Sequence, residues 1–258
     1  DVESIMSSLK YPIFIKPRYG HLTACSRNCH KINNSSELKP YLDYPDMMWS
    51  SYIEGGEGMT DYIMLNGTIV NQLTYVYSPE TRGNVEVWKL ISSETAANPE
   101  ITTWVRNNVQ NHTGFVNVQY RDGKIIEVGL RPARAGAYHI LADNRSISKN
   151  IYNLFHNNRW QEELDMSFQP YYSFKCLCRV PILTLLPIDL VKLICAKYKD
   201  VMVYEYYFEP VHGQGTVFIH IAHKDKEVGE AARKTIETWF EATQVIMVLL
   251  LIAIPVAL

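Results

Sequence analysis

The chain has 258 residues, 47% of them hydrophobic and 20% charged, a composition that excludes disorder and leaves material for one large domain or two smaller ones. Lys and Arg number 25 against 27 Asp and Glu, a formal charge of -2, so the chain lacks the electrostatic footprint of a nucleic-acid binder. Five cysteines, an odd number, do not make a disulfide framework.

Residues 2–9 read as a short amphipathic helix. Tyr11-Pro-Ile-Phe-Ile-Lys16-Pro17 is a β-rich run stopped by proline. Residues 18–25 read as a loop and 26–32 as a return strand. Asn34, Ser35, Ser36 and Glu37 carry capping signals and predict a helix towards Leu42. Residues 47–53 read as a strand, closed by the glycine-rich turn Glu54-Gly55-Gly56-Glu57. Asn66-Gly67 predicts a tight hairpin between strands at 61–65 and 68–77. A helix is expected over 100–111. Asp122-Gly123 predicts a second hairpin, between 114–120 and 124–128. Residues 131–136 read as a loop, 147–159 and 189–197 as helices, and 201–208 and 216–222 as strands. A charged amphipathic helix is expected over 225–241. Beyond it, residues 245–258 carry no charge. A helix apolar on every side needs a deep core or lipid, and this stretch lies near the lower limit of a span; it reads as a C-terminal membrane anchor, the truncated first span of a longer protein or a buried helix, with membrane contact the favoured reading.

Three groups of residues carry chemistry. Lys16, at the end of an apolar strand before a loop with Gly20, suits a phosphate as a point charge. Glu57 follows a Gly-Gly turn, where a carboxylate accepts from both hydroxyls of a ribose. Gln119 and Glu127 lie on adjacent strands of the second hairpin, so their oxygens converge as hard ligands for a cation such as Mg²⁺. Arg131 and Arg134 follow, and their guanidinium groups suit a carboxylate or a transferring phosphate. Taken singly, each has a plainer reading: a solvent lysine, an exposed turn, a surface hairpin with a basic loop. Cys25, Cys29 and His30, with Cys176 and Cys178, lack the usual Cys-x₂-Cys spacing of a structural zinc site.

In their order and approximate spacing these pieces resemble the ATP-grasp superfamily, in its carbamoyl-phosphate-synthetase-like and amino-acid-ligase branch. The similarity runs over nearly all of residues 1–240, and it begins inside the family's nucleotide-binding region, so it is N-terminally incomplete. It implies that Lys16 contacts ATP phosphates and that Ser51, Tyr52 and Ile53 form the adenine hinge. It further implies that Glu57 binds the ribose, that Gln119 and Glu127 bind magnesium, and that Arg131 steadies phosphate or carboxylate. Three departures stand out. The phosphate loop has one glycine, Gly20; the hinge has Ser50-Ser51 where the family has an acidic residue; and Gly129 replaces an asparagine. A second register would put Leu130 and Pro132 at the metal positions and abolish the site; the register with Glu127 keeps both a carboxylate and an arginine.

The fold expected from this resemblance is α+β: an ATP-grasp lid over 1–50, a catalytic lobe with an antiparallel sheet over 51–165, a small α/β subdomain over 166–241 and the apolar tail 242–258. The implied function is an ATP- and Mg²⁺-dependent carboxylate–amine (or thiol) ligase working through an acyl phosphate. Its partners are ATP and small carboxylate and amine substrates, with no nucleic acid, and the family's preceding part is expected upstream or on a partner. The alternative is a degenerate ATP-grasp fold kept as a membrane-associated binding or structural module. The expected location is the cytoplasm, with the tail as anchor.

Overall fold

The computed structural model describes residues 6, 8–19, 28–82, 85–133, 145–164, 169–185, 188–211 and 213–253. They form two compact units, Asp1–Gly55 and Gly56–Leu258.

The first unit is a three-stranded antiparallel sheet in the order β2-β1-β3. Its strands are β1 (Ile13–Pro17), β2 (His30–Ile32) and β3 (Met47–Ser51). Alternation along β1 buries Ile13 and Ile15 against Ile32, Leu38 and Met6. Phe14 and Lys16 stand on the opposite face. Helix α1 (Ser35–Leu38) runs into a 3₁₀ turn at Lys39–Tyr41. Its capping is reciprocal: Asn34 accepts from the Glu37 amide, and the Glu37 carboxylate accepts from the Asn33 amide. Residues 2–5 and 7 of the expected first helix lie outside the described residues, as do 20–25 of the expected loop and 26–27 of the expected return strand.

The second unit is built on one eight-stranded antiparallel sheet, in the order β10-β9-β4-β5-β8-β11-β13-β12. Its strands are β4 (Glu57–Leu65), β5 (Thr68–Tyr77), β8 (Lys89–Ser92), β9 (Gly114–Arg121), β10 (Lys124–Gly129), β11 (Tyr171–Cys178), β12 (Met202–Val211) and β13 (Gly215–His223). A two-stranded ribbon, β6 (Thr81–Arg82) and β7 (Val85–Glu86), interrupts the path from β5 to β8. Both expected hairpins form. Asn66 and Gly67 have φ of 49° and 80°, and Asp122 and Gly123 have 45° and 72°. Two successive positive φ values give the primed turn whose twist matches the strands.

Helices cover both faces of this sheet. α2 (Pro99–Asn108) buries Ile101 and Val105 against Tyr62, Met64, Val116 and Val118. On the same face, α5 (Lys226–Ala253) buries Ala232, Ile236 and Phe240 against Phe174, Cys176 and Phe218. α5 sits so close to β11 that a Cβ on Gly229 would lie 2.3 Å from the Phe174 ring. α4 (Ile188–Ala196) adds Val191 and Ile194 to that core. On the other face, α3 (Arg145–Asn157) sets Ile147 against Met59, Tyr75 and Ile91, and Leu154 against Ile63 and Phe115.

One expectation from sequence is corrected. The apolar tail is not a separate segment: residues 245–253 continue α5, whose earlier turns are charged and packed on the sheet. Among the described residues, no helix is long and apolar enough to cross a membrane. Just before Val245, Gln244 is fully buried, holding the Leu183 and Thr184 amides and the Thr184 carbonyl. Cys176 and Cys178 are buried in the core strand β11. Burial pushes both thiols up, Cys176 well above the ordinary value.

Candidate functional site

In the first unit, Lys16 is half-buried on β1, across from Met48 of β3. Ser51 is the last residue of β3 and is exposed. Tyr52 and Ile53 follow it, and the Tyr52 amide donates to the Pro12 carbonyl at 3.2 Å. The Lys31 ammonium lies 4.2 Å from the centre of the Tyr52 ring, at a distance where the ring face attracts a cation. The hinge expected from the resemblance is thus the continuation of a strand edge.

In the second unit, one face of the sheet changes character along its length. Under α3 it is apolar. Towards the start of β4 it turns polar, because cross-strand partners share a face. Glu127, Gln119, Met59, Tyr75 and Ile91 form one such row across five strands. Gln119 and Glu127 are direct Cα partners, made so by a bulge between Ile125 and Glu127. Without it, Ile126 would stand there. The register with Glu127 at the metal position therefore places its carboxylate beside Gln119, while Leu130 of the other register is 66% exposed.

Glu57 is held rather than loose. One of its oxygens accepts from the Gln119 side-chain amide. The other accepts from Arg121 Nε at 3.1 Å and Nη2 at 2.7 Å. A carboxylate has about four lone-pair sites, so about one remains for a ligand. Since a carboxylate only accepts, the Gln119 group facing it is the NH₂, and the Gln119 carbonyl oxygen remains its acceptor. Glu127 and Arg131 are both more than half exposed and stand 4.0 Å apart. Arg131 also donates to the Pro132 carbonyl at 3.1 Å. Arg134 lies outside the described residues.

Two oxygen donors fit Mg²⁺, which takes one or two carboxylates plus phosphate oxygens rather than an all-protein cage. No group of three or more His, Cys, Asp or Glu able to hold a metal ion occurs among the described residues.

Sequence reasoning missed further residues on this face. Arg121 fixes Glu57. Tyr77 packs half-buried against Met59, and its hydroxyl donates to the Met59 sulfur at 3.9 Å. Burial pushes that hydroxyl well above its usual pKa, and the charges of Glu86, Glu57, Asp61 and Glu127 add to the effect. Glu86, Lys89 and Lys175 form an ion cluster there. Their signal was absent from local pattern: the three come from three different strands. A cavity of about 550 Å³ beside α4, lined among others by Lys192, Cys195, Tyr198 and Tyr204, contains none of the expected site residues.

No protein-family model and no curated protein sequence matches the chain. Solved structures match it in fold. It is similar to an L-amino acid ligase from Bacillus licheniformis, with TM-score 0.59 and 16% identity over 91% of this chain and 64% of that one. It is similar to a carboxyaminoimidazole ribonucleotide synthase from Aspergillus clavatus, complexed with ATP, with TM-score 0.56 and 12% identity over 93% of this chain and 65% of that one. A phosphoribosylamine–glycine ligase from Thermotoga maritima gives TM-score 0.59 and 10% identity over 91% and 67%. The chain thus spans 64% of the first of these structures. What is shared at these identities is the fold, and it is the ATP-grasp fold that the ordered motifs led one to expect.

Proposed function

We propose that this chain binds ATP with Mg²⁺ and serves an ATP-dependent carboxylate–amine (or thiol) ligase. The observation that carries the reading is the pairing of Gln119 with Glu127 across β9 and β10, beside a Glu57 held by Arg121. An oxygen pair of this kind suits a cation that is itself shared with phosphate oxygens.

The roles follow from the side chains. Gln119 and Glu127 hold the metal. Bound there, Mg²⁺ supplies charge neutralisation on the phosphate oxygens. Lys16 meets a phosphate as a point charge, and Arg131 meets phosphate or carboxylate with its planar fork. Glu57 accepts from a ribose hydroxyl with the lone pair that Gln119 and Arg121 leave, and Ser51, Tyr52 and Ile53 face the adenine. In the reaction, a substrate carboxylate oxygen attacks the γ-phosphorus and ADP leaves, giving an acyl phosphate. An amine or thiol then attacks the acyl carbon and loses its proton, and inorganic phosphate departs. Such transfer depends on positioning and charge stabilisation more than on a covalent protein group.

The test is a thermal-shift titration of the full chain with ATP and Mg²⁺. A ligand that binds the folded state alone adds about 2.7 kcal/mol at a hundred times its Kd, so the midpoint should rise. Glu127→Ala should abolish the Mg²⁺-dependent part of the rise, and Cys29→Ala should keep it. A folded sample with no shift at millimolar nucleotide would sink the reading. A shift without ADP release, when carboxylate and amine are supplied, would favour the non-catalytic module, a reading that the phosphate loop, with Gly20 its one glycine, favours.

A further inference from the structure

Beyond Glu57 along the polar end of the sheet face lies a charge cluster that the ligase reading leaves without a task. Lys89 of β8 and Lys175 of β11 each place Nζ 3.0 Å from the same oxygen, Oε1 of Glu86. The side chains are largely buried: 11% exposed for Glu86 and Lys89, and 25% for Lys175. β8 and β11 are hydrogen-bonded neighbours with Lys89 opposite Ser173, so Lys175, two residues on, shares its face. Lys89 also lies 4.4 Å from the centre of the Tyr77 ring.

Two ammonium groups therefore share one carboxylate, and the cluster holds one positive charge in excess. Glu57, the next carboxylate on this face, is already matched by Arg121. Taking an ammonium out of water costs several kcal/mol unless an anion compensates it. Packing alone gives no reason to bury the second lysine, whereas an oxyanion beside it would complete the charge balance. The titration behaviour agrees. Burial lowers the Lys175 pKa, Lys89 lowers it further, and Glu86 and Glu57 offset this only in part.

We propose that Lys89 and Lys175, held together by Glu86, form a binding site for an oxyanion, the carboxylate or phosphate group of a substrate, on the sheet face that carries Gln119 and Glu127. The site itself stands on the cluster; that its occupant is a ligase substrate rests on the function proposed above. The substrate class is then an acid whose anionic group enters this end of the face. Lys175, the most exposed of the three, makes first contact.

Inorganic phosphate is the probe, read by the thermal midpoint of the full chain across a titration. Phosphate should raise the midpoint of the wild type and of Lys234→Met, a 64% exposed side chain on α5, and raise that of Lys175→Met far less. A rise of equal size in Lys175→Met, or loss of the response in Lys234→Met alone, overturns the proposal. Should Lys175→Met fail to fold, Lys89→Met decides. It removes the other ammonium of the pair, so the phosphate midpoint concentration should rise several-fold, and an unchanged or lowered value overturns the proposal. Acetate that displaces phosphate assigns the site to carboxylates; phosphate that resists acetate assigns it to phosphate groups. ADP with Mg²⁺ forms a separate arm: a wild type that answers phosphate but not ADP leaves the oxyanion site standing and removes the ligase reading.

Discussion

Asp61 shows how a single side chain organises the site. It is fully buried in β4. Its oxygens accept from the Tyr75 hydroxyl at 2.8 Å, the Asn117 amide at 2.7 Å and the Ala133 backbone amide at 3.0 Å. A buried carboxylate persists only where such donors replace water. The Ala133 bond ties the segment after β10 to the middle of the sheet, two residues from Arg131. Asp61→Ala would leave three buried donors without their acceptor, so a loss of about 3–5 kcal/mol is expected in urea unfolding. Asp61→Asn keeps one carbonyl acceptor and should cost less, about 1–3 kcal/mol. An Asp61→Ala protein within 0.5 kcal/mol of wild type would show that these bonds do not hold the segment. From sequence, Asp61 was visible only as the first residue of an expected strand. Its task was hidden because its partners lie 14, 56 and 72 residues away, and no local pattern encodes them.

At the scale of elements, what was legible had local causes. Asn66-Gly67 and Asp122-Gly123 announced their turns because few other pairs accept two positive φ values in succession. The Asn34 cap announced α1 in the same way. The bulge that brings Glu127 opposite Gln119 had no such mark, although the hairpin itself was expected. β11 was missed because it is buried on both faces, so its pattern does not alternate. β6, β7 and β8 are two to four residues long, too short to show a period. The packing of α5 on β11 was equally silent, and it rests on Gly229. Gly229→Ala gains up to about 1 kcal/mol of helix propensity. Against this, the new methyl would stand 2.3 Å from the Phe174 ring, which has no exposure. Overpacking of that kind costs about 1–3 kcal/mol, so the variant should be less stable than wild type. Phe174→Leu in the Gly229→Ala background should be less damaging than in the wild type. If Gly229→Ala is stabilising, the close approach is not what selects glycine here.

For the whole molecule, the ordered motifs carried the fold further than any single element, since Lys16, Glu57, Gln119, Glu127 and Arg131 follow one another as the ATP-grasp resemblance requires. The ion cluster was invisible at that level, because Glu86, Lys89 and Lys175 meet only once the eight-stranded sheet has formed. That dependence makes the cluster a reporter of folding. Burial pushes the Glu86 carboxyl up, but Lys89 and Lys175 more than offset this and hold it at about 2, against 4.5 for an ordinary glutamate. The unfolded chain therefore binds a proton at higher pH than the folded one. Glu86 contributes its full stabilisation above pH 4.5 and loses it as the pH falls through that value to about 2. At 1.36 kcal/mol per pKa unit the contribution is about 3 kcal/mol. In phosphate-free buffer, urea unfolding of wild type and Glu86→Gln should differ most near neutral pH. The two curves should converge by that amount between pH 4.5 and 2. Parallel curves over this range would mean that the two lysines do not hold Glu86 in its charged form.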